Sequence, residues 1–239
     1  MKKRIYPPML AIICAVILCA YFITAITGSK VVTTISENAP IMDRRCFIID
    51  AGHGGIDGGA TSFTGVLESA INLEIALRLD DLLHLLGMET RMIRTTDISV
   101  YTEGSSIAAK KVSDLKERTR IVNQTENAVL ISIHQNHFSD SKYSGSQVFY
   151  SSNISSEQLG KQMQSALVKC LNPRSNRRAK KADGIYLMQN INCPGVLIEC
   201  GFLSNPTEEA KLRNPTYQKQ LCCVIASVLN NYGNKHTLA

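Results

Sequence analysis

The chain has 239 residues, of which 44% are hydrophobic and 19% are charged, with a formal net charge of +6. This length and composition exclude an intrinsically disordered chain and are sufficient for one domain with a buried core. The modest positive charge is compatible with an anionic partner, whether nucleic acid, a membrane surface or an acidic polymer such as cell wall, and does not choose among them.

The N-terminus has the pattern of a membrane anchor. Three cations precede an uncharged run over residues 5–29, and its centre, residues 9–26, is almost wholly apolar. About 20 such residues span a bilayer, and the positive-inside rule places the preceding cations in the cytoplasm. The remainder of the chain is therefore expected outside the cytoplasm.

We predict a signal anchor over residues 1–29 and a polar linker over residues 30–45. The alternative is a cleaved signal peptide, which would make the protein secreted. The apolar run exceeds the usual hydrophobic region of about 7 to 15 residues, and no clean Ala-x-Ala site follows it, so the anchor is preferred.

The eight cysteines include no CxxC pair. A thiolate zinc site or a thioredoxin-type redox motif therefore has little support. Most of the cysteines lie in apolar stretches, which predicts small buried hydrophobic residues, and their spacing selects no disulfide pairing.

A glycine-dense segment follows the first apolar run, residues 46–49. Five glycines stand among residues 52–60, on both sides of His53. Glycines let the backbone turn through positive φ and pass close to a ligand, so His53 is expected at the edge of a sheet. A lone histidine at a strand end is more often a packed or surface residue, so its role depends on what else converges on it.

The rest of the chain alternates between helical and strand-like patterns. Helices are predicted over residues 68–86, 114–124, 157–171 and 217–232. Strands are predicted over residues 46–49, 90–94, 129–133, 147–151, 184–189 and 195–200. This alternation predicts an α/β domain over residues 46–233, with a single mixed, mostly parallel sheet and helices on both faces. A tail over residues 234–239 follows.

Two segments between these elements are polar. Residues 97–111 are predicted to form a loop that could shape a substrate groove. Residues 174–181 form a basic turn with five cationic side chains. A solvated surface is the preferred interpretation of this turn, and a role in holding an anionic polymer is the alternative.

Three chemically capable side chains fall at the carboxyl ends of predicted strands: His53, His134 and Glu199. Ligand sites of such sheets gather at these ends. Two histidines and a carboxylate form a known type of catalytic zinc site, in which a fourth position stays open. Spacing alone leaves both Asp57 and Glu68 as the carboxylate ligand. Glu199 follows an apolar strand and needs a partner, because an ionised carboxylate is costly to bury alone.

At this point several motifs resemble those of the zinc-dependent N-acetylmuramoyl-L-alanine amidases of the type 3 family. They are the DAGHGG segment that begins at Asp50, the glutamate Glu68, the SIHQN segment that ends at Asn136, and the LIECGFLSN segment that begins at Leu197. The similarity runs from about residue 47 to residue 232. It is strongest to the sporulation- and germination-specific, membrane-anchored type, because of the N-terminal pattern, residues 184–190 and the absence of added wall-binding repeats.

The resemblance implies a site at the strand carboxyl ends in which His53, Glu68 and His134 bind Zn²⁺ and Glu199 is the catalytic carboxylate. The implied reaction is hydrolysis of the amide bond between N-acetylmuramic acid and L-alanine in peptidoglycan, in spore cortex maturation through muramic-δ-lactam formation. The implied partners are the glycan strand with its stem peptide, the membrane through the N-terminal helix, and an accessory activator protein, with no nucleic acid. The implied location is extracytoplasmic, in the forespore intermembrane space.

Two other functions stay open from the residues. One is a catalytically inactive protein that binds peptidoglycan or regulates its turnover, and the other is a zinc peptidase that cuts within the stem peptide. His137 is expected to line a groove or lie on the surface, since a turn after the strand would point it away from His134. Gln135 and Cys200 depart from the neighbours that are common in the family.

Overall fold

The structure, a computed structural model, describes residues 45–234. The predicted anchor over residues 1–29, nearly all of the linker over residues 30–45 and the tail after residue 234 lie outside these residues. Within the described part of the chain, no helix combines the length and the apolar character that a bilayer span requires.

Six strands form one sheet in the described residues, in the order β2-β1-β3-β6-β4-β5. They are β1 (Cys46–Ala51), β2 (Glu89–Met92), β3 (Ala128–Asn136), β4 (Gln147–Tyr150), β5 (Lys180–Lys181) and β6 (Gly195–Phe202). Neighbouring strands are parallel except where β4 meets β6. The predicted mixed, mostly parallel sheet is confirmed.

Helices follow or precede most of the strands. They are α1 (Glu68–Leu85), α2 (Ile107–Asn123), α3 (Ile154–Leu171), α4 (Tyr186–Asn190), α5 (Pro206–Leu212) and α6 (Pro215–Asn234). The crossovers through α1 and α2 connect parallel strands, which require a long connection of this kind.

The sheet buries both of its faces, which explains why its central strands are continuously apolar. Successive side chains of a strand point to opposite faces, so Ile49 packs with one core and Ile48 with the other. The larger core contains side chains from α1, α3 and α6, such as Ile75 and Leu159, and the smaller core contains α2 and α4 side chains such as Val122. Helices therefore cover both faces, as predicted.

One predicted strand is wrong. Residues 184–189 form a turn at Gly184, which has a φ of 81°, followed by helix α4. Leu187 and Met188 are buried in the smaller core, so a helical turn places both on the sheet where a strand would place them on opposite sides. A short apolar run does not distinguish these two cases by periodicity.

Other differences concern the ends of elements. Helix α2 begins at Ile107, within the predicted loop, where Ser106 accepts a hydrogen bond from the backbone N–H of Ala109. Strand β5, Lys180–Lys181, lies within the predicted basic turn. Helix α5 was not predicted, although Asn205 caps it and Pro206 is its first residue. Strand β3 continues two residues beyond His134.

The described cysteines form no disulfide. Cys46, Cys200 and Cys222 are buried, as expected of small hydrophobic residues, whereas Cys170 and Cys223 are exposed. The prediction that the cysteines are buried hydrophobic residues therefore holds for only some of them.

Candidate metal centre at the carboxyl ends of three strands

The register of the central strands brings the predicted site residues to one edge of the sheet. His134 in β3 lies directly beside Glu199 in β6, and Asp50 at the end of β1 lies beside Ser132. His53 follows β1 after a single intervening residue, Gly52. The register shifts between His134 and Asn136, so the ladder is irregular where the site begins.

His53 has an uncommon backbone conformation. Its φ is 61°, in the left-handed region, where residues other than glycine are rare. The backbone groups of Gly54 and Asp57 exchange hydrogen bonds of 2.8 and 3.1 Å, which close the turn after His53. Arg118 donates to the carbonyl oxygen of His53 at 2.7 Å. A strained backbone that the surroundings hold in this way is typical of functional sites.

The carboxylate of Glu68 lies between the two histidines. Its Oε1 atom is 3.3 Å from Nε2 of His53 and 3.0 Å from Nδ1 of His134. The two imidazole rings are 5.0 Å apart at an angle of 74°. One ligand-capable atom from each of the three residues lies within 4.8 Å of the others.

This cluster fits a zinc ion. Nitrogen and oxygen ligands lie about 2.0 to 2.1 Å from zinc, and at tetrahedral angles two of them are roughly 3.3 Å apart. The separations of 3.0 and 3.3 Å around Glu68 agree with this requirement. Two imidazoles and one carboxylate are also a donor set of catalytic zinc sites that leaves a fourth position open.

Further hydrogen bonds hold Glu68 in place. Its Oε2 atom accepts from the backbone N–H of Ala60 at 3.0 Å, and Oε1 accepts from Asn72 at 3.2 Å and from the backbone N–H of Gln135 at 3.1 Å. Burial alone would raise the pKa of Glu68, but the bonds to His134 and His53 outweigh it and hold the pKa far below its usual range. Glu68 is therefore a carboxylate at neutral pH.

Asp57 supports the site from behind His53. Its Oδ2 atom is 2.9 Å from Nδ1 of His53, and its Oδ1 atom is 2.8 Å from Nζ of Lys111. Burial lowers the pKa of His53, but the carboxylates of Glu68 and Asp57 raise it more, to about 9. Asp57 thus fixes the ring with Nε2 toward Glu68, the role that carboxylates commonly have behind a ligating histidine.

Two glycines of the loop are required by the packing of the site. A Cβ atom at Gly52 would lie 2.2 Å from Nε2 of His134, and one at Gly59 would lie 2.6 Å from Oε2 of Glu68 and 2.8 Å from Cδ2 of His53. These distances are shorter than any real contact. The glycines therefore allow the three candidate ligands to converge.

Glu199 lies beside the cluster, and its Oε2 atom is buried without a hydrogen-bond partner among the described residues. Burial raises the pKa of Glu199 to about 7, with opposing contributions from His134, which lowers it, and Glu68, which raises it. A buried carboxyl oxygen without a protein partner is expected where a substrate, water or ion takes that place.

Two buried arginines fasten the loop to the sheet. Arg118 pairs with Asp50 and Asp114 and donates to the carbonyl oxygen of Ala51 at 3.0 Å. Arg94 donates to four carbonyl oxygens at 2.8 to 3.0 Å, those of Ala51, Gly52, Ser69 and Thr96. These bonds satisfy backbone groups that a tight loop leaves without partners.

The structure brings His53, Glu68, His134 and Glu199 together and leaves His137 exposed, outside the cluster. Asp57, the second carboxylate that spacing left open, contacts the far side of His53. Two residues that contact the site, Arg94 and Lys111, were not predicted from the sequence. A charged residue directly after the apolar Met92 and Ile93 was a signal for Arg94, whereas nothing local distinguished Lys111 from other helix-surface lysines.

The fold and the site define an α/β enzyme with a candidate metal centre at the carboxyl ends of its central strands. The chain belongs to the N-acetylmuramoyl-L-alanine amidase family, whose type 3 sequence profile matches residues 47–231. It is an N-acetylmuramoyl-L-alanine amidase.

Relatives agree with this assignment. The chain is 39% identical over 186 residues to the germination-specific N-acetylmuramoyl-L-alanine amidase of Bacillus subtilis, covering 77% of this chain and 78% of the relative. It resembles the CwlD amidase of Clostridioides difficile, solved in complex with the GerS lipoprotein, with 38% identity and a TM-score of 0.75 over 79% of this chain and 98% of that one. An N-acetylmuramoyl-L-alanine amidase of Clostridium difficile 630 is 30% identical with a TM-score of 0.70, covering 81% and 98% of the two chains. The resemblance to the germination-specific type is confirmed.

Proposed function

We propose that the chain hydrolyses the amide bond between N-acetylmuramic acid and L-alanine with a zinc ion held by His53, Glu68 and His134, and with Glu199 as general base and acid. The observation that carries the proposal is the position of Glu68 Oε1, 3.3 Å from His53 Nε2 and 3.0 Å from His134 Nδ1, beside the unpartnered oxygen of Glu199. A zinc ion in such a site polarises a carbonyl oxygen and lowers the pKa of a bound water molecule.

The side chains divide the remaining work. Glu199 accepts a proton from the attacking water as a new C–O bond forms at the lactyl carbonyl carbon. It then delivers this proton to the nitrogen of L-alanine as the C–N bond breaks, which releases the stem peptide. Burial raises the pKa of Glu199 toward neutral pH, and a group that titrates near the working pH can accept and return a proton.

Digestion of peptidoglycan tests the proposed reaction. The wild type should release intact stem peptides with a free L-alanine N-terminus, identified by mass spectrometry. Glu199→Gln should retain stoichiometric zinc and lose about 10² to 10⁴ in rate, since proton transfer by a positioned side chain has an effect of this size. Trimmed stem peptides would instead indicate a peptidase. A zinc-loaded wild type that releases no peptide from peptidoglycan would refute the proposal.

We also infer a role in the spore cortex, where the amidase product would feed muramic-δ-lactam formation after a second enzyme removes the acetyl group. The 39% identity to a germination-specific amidase supports this role. Deletion of the gene should abolish muramic-δ-lactam in the cortex, and wild-type chain but not Glu199→Gln should restore it. Normal lactam content in the deletion strain would refute this role.

An N-terminal anchor over residues 1–29 and an extracytoplasmic location complete the proposal, and both rest on the sequence pattern. An accessory activator protein is included because a relative has been solved in complex with a lipoprotein. Fractionation of sporulating cells, followed by N-terminal sequencing of the membrane-bound form, distinguishes a retained anchor from a cleaved and secreted product.

A further inference from the structure

A concave region lies on the β4 side of the candidate metal centre. It is a cavity of about 690 Å³ between the end of α3, the loop that joins β3 to β4, and the start of α5. Its wall contains four basic side chains and one acidic side chain, namely Lys142, Arg174, Arg177, Lys211 and Glu208. Part of the basic turn that the sequence analysis assigned to solvated surface therefore lines a cavity.

The positive charge of this wall is largely uncompensated. Among the described residues, Arg174, Arg177 and Lys211 take part in no ion pair, whereas Lys142 pairs with Asp140 at 2.7 Å. The carboxylate of Glu208 accepts a hydrogen bond from the backbone N–H of Gly145 at 2.7 Å and so faces the protein backbone. The cavity is thus suited to a ligand with negative charge.

Arg177 is held in an orientation that leaves its terminal nitrogens available. Its Nε atom donates to the carbonyl oxygen of Ser144 at 3.1 Å, and its guanidinium lies 4.9 Å from the centre of the Phe202 ring. Its Nη1 and Nη2 atoms form no hydrogen bond to any of the residues that the structure describes. A guanidinium fixed in this way matches the two oxygens of a carboxylate.

An aromatic cluster lies at the edge of the cavity, which Tyr143 lines. Phe138 follows β3 and contacts Tyr143 and Phe202, with ring centres 5.1 and 5.4 Å away. Phe138 and Tyr143 remain 46% and 38% exposed although they form a cluster. An exposed apolar surface therefore adjoins the basic wall, on the loop that follows the strand of His134.

The backbone that lines the cavity lies near Glu199. Gly145 lines the cavity, and Gln147, two residues later, is paired with Glu199 in the sheet. Two extended residues and one strand spacing place the Cα atoms of Gly145 and Glu199 at most roughly 12 Å apart. An extended tripeptide spans roughly 10 Å.

We propose that this cavity is a subsite for a carboxylate of the stem peptide, with Arg177, Arg174 and Lys211 as the cationic side chains that select it. The inference rests on the proposed function, because the stem peptide is the leaving group and bears free carboxylates wherever it is not amidated. The subsite would make the enzyme prefer a stem with free carboxylates over the same stem in amidated form.

Two matched substrates test the subsite. Both contain N-acetylmuramic acid joined to the same tripeptide, with free carboxylates in one and carboxamides in the other. The zinc-loaded full-length wild type should have a kcat/KM about tenfold higher for the free acid, which corresponds to about 1.4 kcal/mol. The Arg174→Gln/Lys211→Gln double variant should lose most of this preference through a higher KM for the acid, with kcat and the amidated substrate little affected.

Two more variants separate charge from structure. Lys219→Gln removes one exposed cation from α6, away from the cavity, and should keep the wild-type preference. Arg177→Lys keeps the charge but loses the planar guanidinium and its contact with the Phe202 ring. It should therefore weaken the preference for the free acid several-fold. The proposal would be overturned if the double variant kept the preference for the free acid, or if Lys219→Gln lost this preference to the same extent. The first result would indicate that the basic wall binds an acidic protein partner instead.

A binding measurement keeps this proposal separate from the proposed reaction. The free tripeptide without the sugar should bind the wild type and bind the double variant at least fivefold more weakly in a calorimetric titration. If no substrate is cleaved but this difference persists, the proposed reaction fails and the subsite stands. If both substrates are cleaved and the tripeptide binds both proteins equally, the subsite fails alone.

Discussion

Gly52 lies against the imidazole of His134, so closely that a Cβ atom at position 52 would be 2.2 Å from Nε2. A glycine that precedes one candidate ligand, His53, thereby sets the position of another candidate ligand on the neighbouring strand. From the sequence, the glycines of this loop are expected to let the backbone turn and pass close to a ligand. At Gly52 and Gly59 they instead make room for the site's own side chains.

Gly52→Ala should displace His134 and reduce zinc affinity and amidase activity by at least tenfold, because a backbone-linked methyl group cannot avoid the ring. Zinc content after dialysis and turnover of peptidoglycan measure the effect. Gly65→Ala is the matched control, since Gly65 belongs to the following loop and has open space around its Cβ position. Its positive φ should cost about 1 kcal/mol of stability and leave zinc bound. Normal zinc affinity in Gly52→Ala would contradict the packing argument.

The pair His134→Ala and His137→Ala separates a candidate ligand from its exposed neighbour. His134→Ala should abolish zinc binding and the rise in melting temperature that zinc causes in the wild type, since a ligand that binds only the native state stabilises it. His137→Ala should keep both properties, because His137 lies outside the cluster. Calorimetric melting curves with chelator and with added zinc provide the measurement, and equal zinc loss in the two variants would refute the assigned ligand set.

Asp57→Asn should weaken zinc binding by about 10- to 100-fold while the protein stays folded, since partners behind a ligating histidine have effects of this size. The amide keeps the shape but lacks the charge that binds both His53 and Lys111. Asp81→Asn on the exposed face of α1 is the control and should match the wild type. Competition with a zinc chelator measures the affinity. If Asp57→Asn and Asp81→Asn bind zinc equally, Asp57 does not orient His53.

The buried pair of Arg118 and Asp50 should make stability depend on pH below 4. Burial raises the pKa of Asp50, but Arg118, His134 and Ser132 together lower it below its ordinary value of 3.8. The carboxylate of Asp50 is therefore protonated at a lower pH in the native state than in the unfolded state. The stabilisation by this pair is complete above about pH 4 and is lost as the pH falls through the native pKa of Asp50.

Asp50→Asn should accordingly cost about 3 kcal/mol in urea unfolding at pH 7, because it leaves Arg118 with less charge compensation in a buried position. The difference from the wild type should shrink as the pH falls below 3.8. A difference that does not change between pH 7 and the acid range would show that the charge of Asp50 is not responsible.

Arg94→Lys should destabilise the protein by about 1 to 3 kcal/mol, although it conserves the charge. Arg94 donates to four carbonyl oxygens in three segments, and a single ammonium group cannot reach all of them. Ala51, Gly52 and Thr96 keep other donors, namely Arg118, Asn72 and the backbone N–H of Ile98. The cost therefore comes mainly from losing the buried planar guanidinium that links the three segments. Arg91→Lys, at an exposed position on β2, is the control. Equal urea midpoints for the two variants would contradict this account.

The sequence by itself determined the class of the fold and the chemical identity of the candidate site. Strands that are apolar throughout, such as the one that contains Ile131, are expected where both faces of a sheet are covered. The helical spacing of the segments between the strands predicts the helices that cover these faces. His53, His134 and Glu199 were grouped because parallel strands bring their carboxyl ends to one edge. The choice of Glu68 over Asp57 came from family resemblance and not from spacing.

Only the tertiary structure decided what local patterns leave ambiguous. Residues 186–190 are helical because Leu187 and Met188 must share one face, and a five-residue run has too few turns to reveal its period. Arg94, Lys111 and the basic cavity depend on contacts between segments far apart in the chain, and no periodicity encodes such contacts. For the same physical reason, the interlocking of Gly52 with His134 is visible only once β1 and β3 lie side by side.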